Sequence, residues 1–324
     1  MTSMLAGAIR REPLAAGDGR SGSLLERVTL ASGEAVVVKH ARAASDWIMR
    51  ATHDDGGRVA TLWSSGLLRR VPAVIEHAIL AVERDGDGWV VVMRDVSAAL
   101  LPDAARLSRA GSRRVLEAAA ALHAAFRDQP PVALCPLADR YGFLSPATAR
   151  REAGGPDQVP KLIARGWERL PELLPADVAE AVLAVAERPE PFAAALARFP
   201  ATLVHGDLKL GNVGFLDGRV VLLDWGTQTG WAPPAVEAVW YLAVNASRID
   251  ATREQVLDDF RAAEGDRHDE DALRLALLGG LVQLGWDKAL HATEHPDPAV
   301  RDREGADLVW WTARARDALE RWSP

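Results

Sequence analysis

Leu203-Val204-His205-Gly206-Asp207-Leu208-Lys209-Leu210-Gly211-Asn212-Val213-Gly214-Phe215 runs past Leu216 into Asp217-Gly218, then Arg219-Val220-Val221-Leu222-Leu223-Asp224-Trp225-Gly226. An Asp-Gly pair between two short apolar runs predicts a hairpin, because it accepts the positive φ angles of a tight turn. The hairpin folds the loop ending at Asn212 back beside the strand ending at Asp224. Asp207, Asn212 and Asp224 then converge at one end of a small sheet. Two carboxylates and an amide oxygen make a hard, oxygen-rich site suited to Mg²⁺. One carboxylate is left to act on the proton of a hydroxyl.

This β island interrupts a helical half. Alanine and leucine recur at helical spacing over 104–126, and helical patterns return over 159–196, 234–244, 253–263, 271–291 and 300–322. The irregular stretch between the first two is bracketed by Gln129-Pro130-Pro131 and Gly154-Gly155-Pro156. The first hundred residues read differently. Residues 24–30 and 35–39 form a hairpin around Ala31-Ser32-Gly33-Glu34, and 78–82 and 89–93 form another around Asp85-Gly86-Asp87-Gly88. Helical spacing over 41–68 is broken near Gly56-Gly57. The expected fold is α+β and two-lobed, with a small β-rich lobe over 1–94 and a larger, mainly helical lobe over 95–324.

His205-Gly206-Asp207 with Asn212, followed by Asp224-Trp225-Gly226, resembles the catalytic loop and metal motif of the aminoglycoside phosphotransferase and choline kinase group. These enzymes are relatives of the protein kinases, whose matching motifs are H-R-D-x-x-x-x-N and D-F-G. The resemblance implies a protein-kinase-like fold in which Asp207 is the catalytic base toward the acceptor hydroxyl, and Asn212 and Asp224 bind magnesium. It implies a structural role for His205, holding the loop. Glycine in place of arginine points to a small-molecule kinase. Lys209 is open between neutralising the transferred phosphoryl group and plain solvation.

The order of motifs in the N-terminal lobe fits an ATP clamp. Gly17, Gly19 and Gly22 sit in Gly17-Asp18-Gly19-Arg20-Ser21-Gly22, ahead of a strand and not behind one. A hairpin lid over ATP phosphates fits that order better than a dinucleotide-binding turn; a flexible terminal turn is the plain alternative. Val36-Val37-Val38-Lys39 resembles the strand whose lysine contacts the α- and β-phosphates. No glutamate lies between Lys39 and Glu76, so Asp54 or Asp55 is the expected substitute for the usual acidic partner. Adenine is expected against the backbone around Arg94 to Val96, where the last strand of the lobe runs into a hinge.

Composition narrows the partners. Acidic residues outnumber basic ones 45 to 38, giving a formal charge of −7, and no basic stripe suggests nucleic acid. The single cysteine, Cys135, excludes an internal disulfide. No apolar run approaches a membrane span; the longest, 275–286, contains Gln283 and reads as a buried helix. No leader is recognisable, so a soluble cytoplasmic protein is expected.

The acceptor pocket should lie between the catalytic loop and the C-terminal helices. Glu237 stands where the family often has Pro-x-x-Asp and is expected to anchor the loop. Trp240 and Trp310 read as core, Trp231 or Trp286 as candidates for stacking on a ring. Asp287 and the pair Asp258-Asp259 are candidates for a cationic acceptor. The leading reading is an ATP- and Mg²⁺-dependent O-kinase of a small molecule: an aminoglycoside or other antibiotic, a sugar or an amino alcohol. The alternative is a catalytically inactive nucleotide-binding protein of the same fold.

Overall fold

The computed structural model describes residues 5–14, 22–127, 129 and 131–323. Its N-terminal region is an antiparallel sheet. β1 (Ala8–Pro13), β2 (Leu24–Leu30) and β3 (Ala35–Ala41) are followed by two short helices, α1 (Trp47–Ala51) and α2 (Arg58–Ser64). Then come β4 (Ile75–Glu76), β5 (Ile79–Asp85) and β6 (Gly88–Arg94), and the sheet order is β1-β2-β3-β6-β5. Both expected hairpins form, β2 against β3 and β5 against β6. β1 has no counterpart in the sequence reading. Its Arg10-Arg11-Glu12 run hides the strand signal, and such charges suit an edge strand.

Strand alternation decides what reaches the interior. Val36 and Val38 pack with Leu5, Val28, Val90 and Val92 in a small core on one face of the sheet. Val37 and Lys39, one residue out of phase, therefore lie on the other face.

The C-terminal region is helical. β7 (Leu107–Ser108) precedes α3 (Arg109–Phe126), which starts later than the alanine spacing suggests because Ser108 is the cap, its hydroxyl accepting from the Gly111 N–H at 3.1 Å. The irregular stretch carries α4 (Leu137–Gly142) and α5 (Pro146–Glu152). The helical span 159–196 is three helices, α6 (Val159–Leu173), α7 (Ala176–Glu187) and α8 (Glu190–Leu196), with Pro175 and Pro189 at the caps of the last two. Proline fixes φ and lacks the N–H that would continue a helix.

The island holds β8 (Thr202–Val204), β9 (Val213–Leu216), β10 (Arg219–Leu222) and β11 (Gly230–Ala232). It is followed by α9 (Pro234–Asn245), β12 (Ile249–Asp250), α10 (Arg253–Glu264), α11 (Glu270–Glu294) and α12 (Pro298–Leu319). β9 and β10 pair antiparallel around Asp217 and Gly218, both at positive φ (48° and 80°), as the Asp-Gly signal requires. β10 also pairs in parallel with β4, so a strand from the N-terminal region completes the island's sheet. Glu76 fastens that junction. It is 6% exposed, and its carboxylate meets Arg94 from β6 at 3.0 Å and Arg219 from β10 at 2.7 Å.

α11 is the central strut, buried along most of its length and packed against α12, α6 and α9. Among the described residues no helix is long and apolar enough to cross a membrane.

Candidate active site

The loop from His205 to Asn212 is held by its backbone. After β8, the N–H of His205 and the N–H of Gly206 both donate to the Glu237 carboxylate, at 3.2 and 2.7 Å. The His205 carbonyl accepts from the Thr229 hydroxyl at 2.8 Å, and the Gly206 carbonyl accepts from buried Arg140 at 2.7 Å. Asn245 closes the far end, accepting from the Leu210 N–H at 2.9 Å and donating to the Leu208 carbonyl at 2.8 Å. Buried peptide groups cost free energy unless paired, so this pairing leaves the loop one conformation. Gly206 has φ 89°, and a Cβ there would stand 2.1 Å from the Gln228 carbonyl oxygen. Arginine, the protein-kinase residue at this position, does not fit.

The clamp on this loop continues inward. His123 on α3 lies between two buried carboxylates, 2.9 Å from Glu237 on α9 and 2.7 Å from Glu264 on α10. Burial disfavours the imidazolium, but the hydrogen bonds and charges of Glu237 and Glu264 outweigh it and raise the pKa to about 9. Glu237 is likewise held low: burial opposes its charge, and the His123 hydrogen bond and charge prevail. Glu237 anchors the loop, as its position after the metal motif suggests.

His205 is fully buried. Its Nδ1 accepts from the Asp207 N–H at 3.2 Å, which leaves Nε2–H to donate to the Leu223 carbonyl at 2.9 Å. It thereby ties the loop to the segment carrying Asp224. Both ring nitrogens are engaged with backbone, which supports the structural role.

Asp207 is oriented through both oxygens. Oδ2 accepts from the Asn212 amide at 2.9 Å, and Oδ1 from the Trp240 indole N–H at 3.2 Å. The guanidinium of Arg140 lies over the Trp240 ring, 5.2 Å from its centroid. Trp240 is core, as expected, but it also orients the Asp207 carboxylate. Helical spacing shows that an indole is buried; it does not show what its N–H meets. Arg140, Asn245 and Glu264 are equally invisible in the sequence. A lone histidine on an apolar helical face, His123, is the one signal that could have led here.

Asp224 has φ 66°, a left-handed conformation that a non-glycine residue adopts only where the surroundings impose it. Its carboxylate pairs with the Lys39 ammonium. Burial works against the Asp224 charge, but Lys39, with Lys209 and His205, brings the carboxyl down to about 2. Lys39 is raised for the reciprocal reason: burial opposes its charge, and Asp224, then Asp46, favour it. The expected partner of Lys39 is therefore corrected. Asp54 accepts from the Arg58 N–H at 2.7 Å at the start of α2, and Asp55 is exposed. Asp46 caps α1 through the N–H groups of Ile48 and Met49 and accepts from Ser23 at 2.6 Å.

Two clefts meet at this loop. One, of about 630 Å³, runs under the N-terminal sheet and is lined by Gly22, Lys39, Arg94, Val96, Asn212 and Asp224. The other, of about 520 Å³, is bounded by α9, α11 and α12, with Trp240, Trp286, Asp287 and Lys288 on its wall. Ile48, Asp207 and Lys209 belong to both. Gly22 has φ 84°, and a Cβ on it would press to 2.4 Å from the Ser45 carbonyl oxygen. Gly17 and Gly19 lie outside the described residues.

The remaining aromatic and acidic candidates sort by tertiary position. Trp231 donates to the Val132 carbonyl at 3.0 Å and lines neither cleft. Trp310 is partly exposed, its indole donating to Glu254 at 2.6 Å. Asp259 is taken by Arg109 at 2.8 Å and Asp258 by Arg261 at 2.9 Å, and neither lines a cleft, which removes both as acceptor contacts. Asp287 lies 3.4 Å from His291, one helical turn on.

Comparisons with known proteins bear on the fold and the family. The fold is similar to that of choline kinase LicA from Streptococcus pneumoniae, with TM-score 0.54, 12% identity, and 96% of this chain and 95% of that chain covered. An aminoglycoside phosphotransferase from Alicyclobacillus acidocaldarius gives TM-score 0.49 at 16% identity over 97% of this chain and 91% of that one. A thermostable mutant of aminoglycoside phosphotransferase APH(4)-Ia, in ternary complex with ADP and hygromycin B, gives 0.49 at 13% identity over 98% and 95%. At such identities the likeness is one of fold. No curated protein matches the sequence. The model of the phosphotransferase enzyme family matches residues 15–276, from the start of the glycine-rich segment through the catalytic loop and into α11. The chain therefore belongs to the phosphotransferase enzyme family.

Proposed function

We propose that the protein transfers the γ-phosphoryl group of ATP to a hydroxyl of a small molecule. The observation that carries this reading is the place of Asp207, at the junction of two clefts and oriented through both carboxylate oxygens. The cleft under the sheet takes the nucleotide and the helical cleft takes the acceptor. Residues 1–94 then act as the nucleotide clamp, and 95–324 supply the catalytic loop and acceptor site.

In this reading Asp207 accepts the proton of the acceptor hydroxyl as its oxygen attacks the γ-phosphorus, and ADP departs with the electron pair of the broken P–O bond. Lys39 holds the α- and β-phosphates. Arg94 spends its N–H on the Ala78 carbonyl at 2.8 Å and its guanidinium on Glu76, so purine contacts fall to backbone nearer Val96. Gly22 lets the backbone approach the phosphates.

The residues present fit a magnesium ion. Asp224 is ionised, and Asn212 turns its NH₂ toward Asp207, which leaves its carbonyl oxygen as the amide's donor atom. Among the described residues no group of three or more His, Cys, Asp or Glu could hold a metal by itself. Mg²⁺ commonly takes its remaining ligands from phosphates and water. When bound, Mg²⁺ neutralises charge on the phosphates.

The test is nucleotide binding with and without Mg²⁺, then transfer from ATP to a panel of alcohols, comparing wild type with Asp207→Asn. Transfer that is lost in the variant while nucleotide still binds supports the reading. Nucleotide binding with no transfer to any alcohol, and no effect of the variant on slow ATP hydrolysis, supports a non-catalytic binding protein.

A further inference from the structure

The wall of the helical cleft carries many charges, and their pairing is informative. Five Lys and Arg residues and four Asp and Glu residues line it. Apart from Asp207, each of these carboxylates already meets a cationic side chain or histidine. Asp307 on α12 is met by Arg253 from α10 and by Lys288 from α11. Glu304 accepts from Arg303 at 2.9 Å, with Lys288 at 3.9 Å. Asp287 has His291 at 3.4 Å. Lys288, Glu304 and Asp307 are 6%, 9% and 3% exposed, so their pairing takes place away from bulk water. Arg248, by contrast, donates to the Ala105 and Pro102 carbonyls at 3.2 and 3.0 Å and meets no carboxylate among the described residues.

A ligand that carries several ammonium groups needs several carboxylates it can desolvate and neutralise. Here a contact to Glu304 or Asp307 would have to displace a lysine or arginine, and breaking a buried pair leaves an uncompensated charge behind. The wall would also hold the ligand's positive charge next to Arg248.

We propose that the acceptor is a hydroxyl compound with no net positive charge, a neutral or anionic polyol, and that Lys288 and Arg303 exclude polyamines by neutralising Glu304 and Asp307. This rests on the helical cleft being the acceptor side. It departs from the sequence reading of Asp287 as a contact for a cationic acceptor. Net charge and local charge point in opposite directions here, because the acidic excess of the chain does not fall on this wall.

The test is equilibrium binding to the full chain, saturated with Mg²⁺ and a non-hydrolysable ATP analogue, read by calorimetry and by the fluorescence of the cleft tryptophans. Spermine and hygromycin B are the probes, at physiological salt. Wild type should bind both weakly, with Kd above about 1 mM. Arg303→Gln, whose side chain is half exposed, and Lys288→Gln should each tighten binding by roughly tenfold or more, as a freed carboxylate becomes available. Arg303→Gln carries the test if Lys288→Gln does not fold. Micromolar binding of either probe to wild type, weakened by Glu304→Gln, overturns the proposal, as does unchanged affinity in a folded Arg303→Gln variant. Failure of the ATP analogue to bind would instead count against the kinase reading, and the probe titrations on nucleotide-free protein still decide the charge argument.

Discussion

In the cleft under the sheet, the polar groups proposed to face a nucleotide come from a few short segments of chain. Lys39 lies in one hairpin, and Asp207, Asn212 and Asp224 lie on a loop and hairpin of eighteen residues. The helical cleft instead draws on α9, α10, α11 and α12, whose contributing residues are spread from Trp240 to Asp307. A phosphate-and-metal site needs a few hard donors at fixed separations, and a hairpin sets those separations locally. An acceptor site needs a shape and a charge pattern, which helix packing supplies. The first is therefore tied to spacing along the chain, and the second to which helix faces meet.

Substitutions on the two sides should separate accordingly. Asp224→Ala should have the largest effect, bringing transfer near background and removing the Mg²⁺ dependence of nucleotide binding; titrations with and without the metal read this directly. An unchanged metal dependence would place the magnesium elsewhere. Asp207→Asn keeps the shape of the loop and removes its base, so turnover should fall about 10²–10⁴-fold while nucleotide affinity holds. Loss of affinity with turnover preserved would exchange the roles of the two aspartates.

Lys39→Ala should lower turnover by roughly 10²-fold, the order seen when one electrostatic stabiliser is removed. Its melting temperature should stay close to wild type, since the partner Asp224 carboxylate is 36% exposed. A variant that loses its cooperative unfolding transition would make Lys39 a structural residue.

The clamp beneath the loop sharpens the contrast through pH. His123 has a raised pKa, so its contribution to stability is complete below its unfolded value near 6.5 and is lost as pH rises through about 9. Glu237 has a lowered pKa, so its contribution is present above its unfolded value and is lost as pH falls through the lower folded one. Thermal stability of wild type should decline between about pH 6.5 and 9, and His123→Gln should lack that decline relative to its own value at pH 6. Parallel curves for the two proteins would show that the histidine is neutral in the fold.

The smallest effect is expected on the acceptor side. Asp287→Asn removes a partly exposed i,i+4 contact to His291, and such pairs contribute little. Acceptor KM should stay within about a factor of two of wild type. A large rise in acceptor KM with the ATP KM unmoved would make Asp287 a direct ligand and return a cationic acceptor to consideration.

The sequence alone determined the hairpins, the helical character of the second half and the convergence of Asp207, Asn212 and Asp224. Each follows from short-range rules: alternation within a strand, positive φ at Asp217-Gly218, apolar spacing along a helix. Lys39 came from the resemblance to the lysine-bearing strand, and the structure puts it on the cleft face, one residue out of phase with Val36 and Val38. Only the tertiary structure decided that β4 joins the island sheet through Glu76, that Asp224 rather than Asp54 pairs with Lys39, and that Trp240 aims Asp207. It alone decided that Glu304 and Asp307 of the helical cleft are paired with lysine and arginine. Ion pairing depends on distances of a few ångströms between side chains far apart in sequence, and residue type and spacing along the chain do not carry those distances.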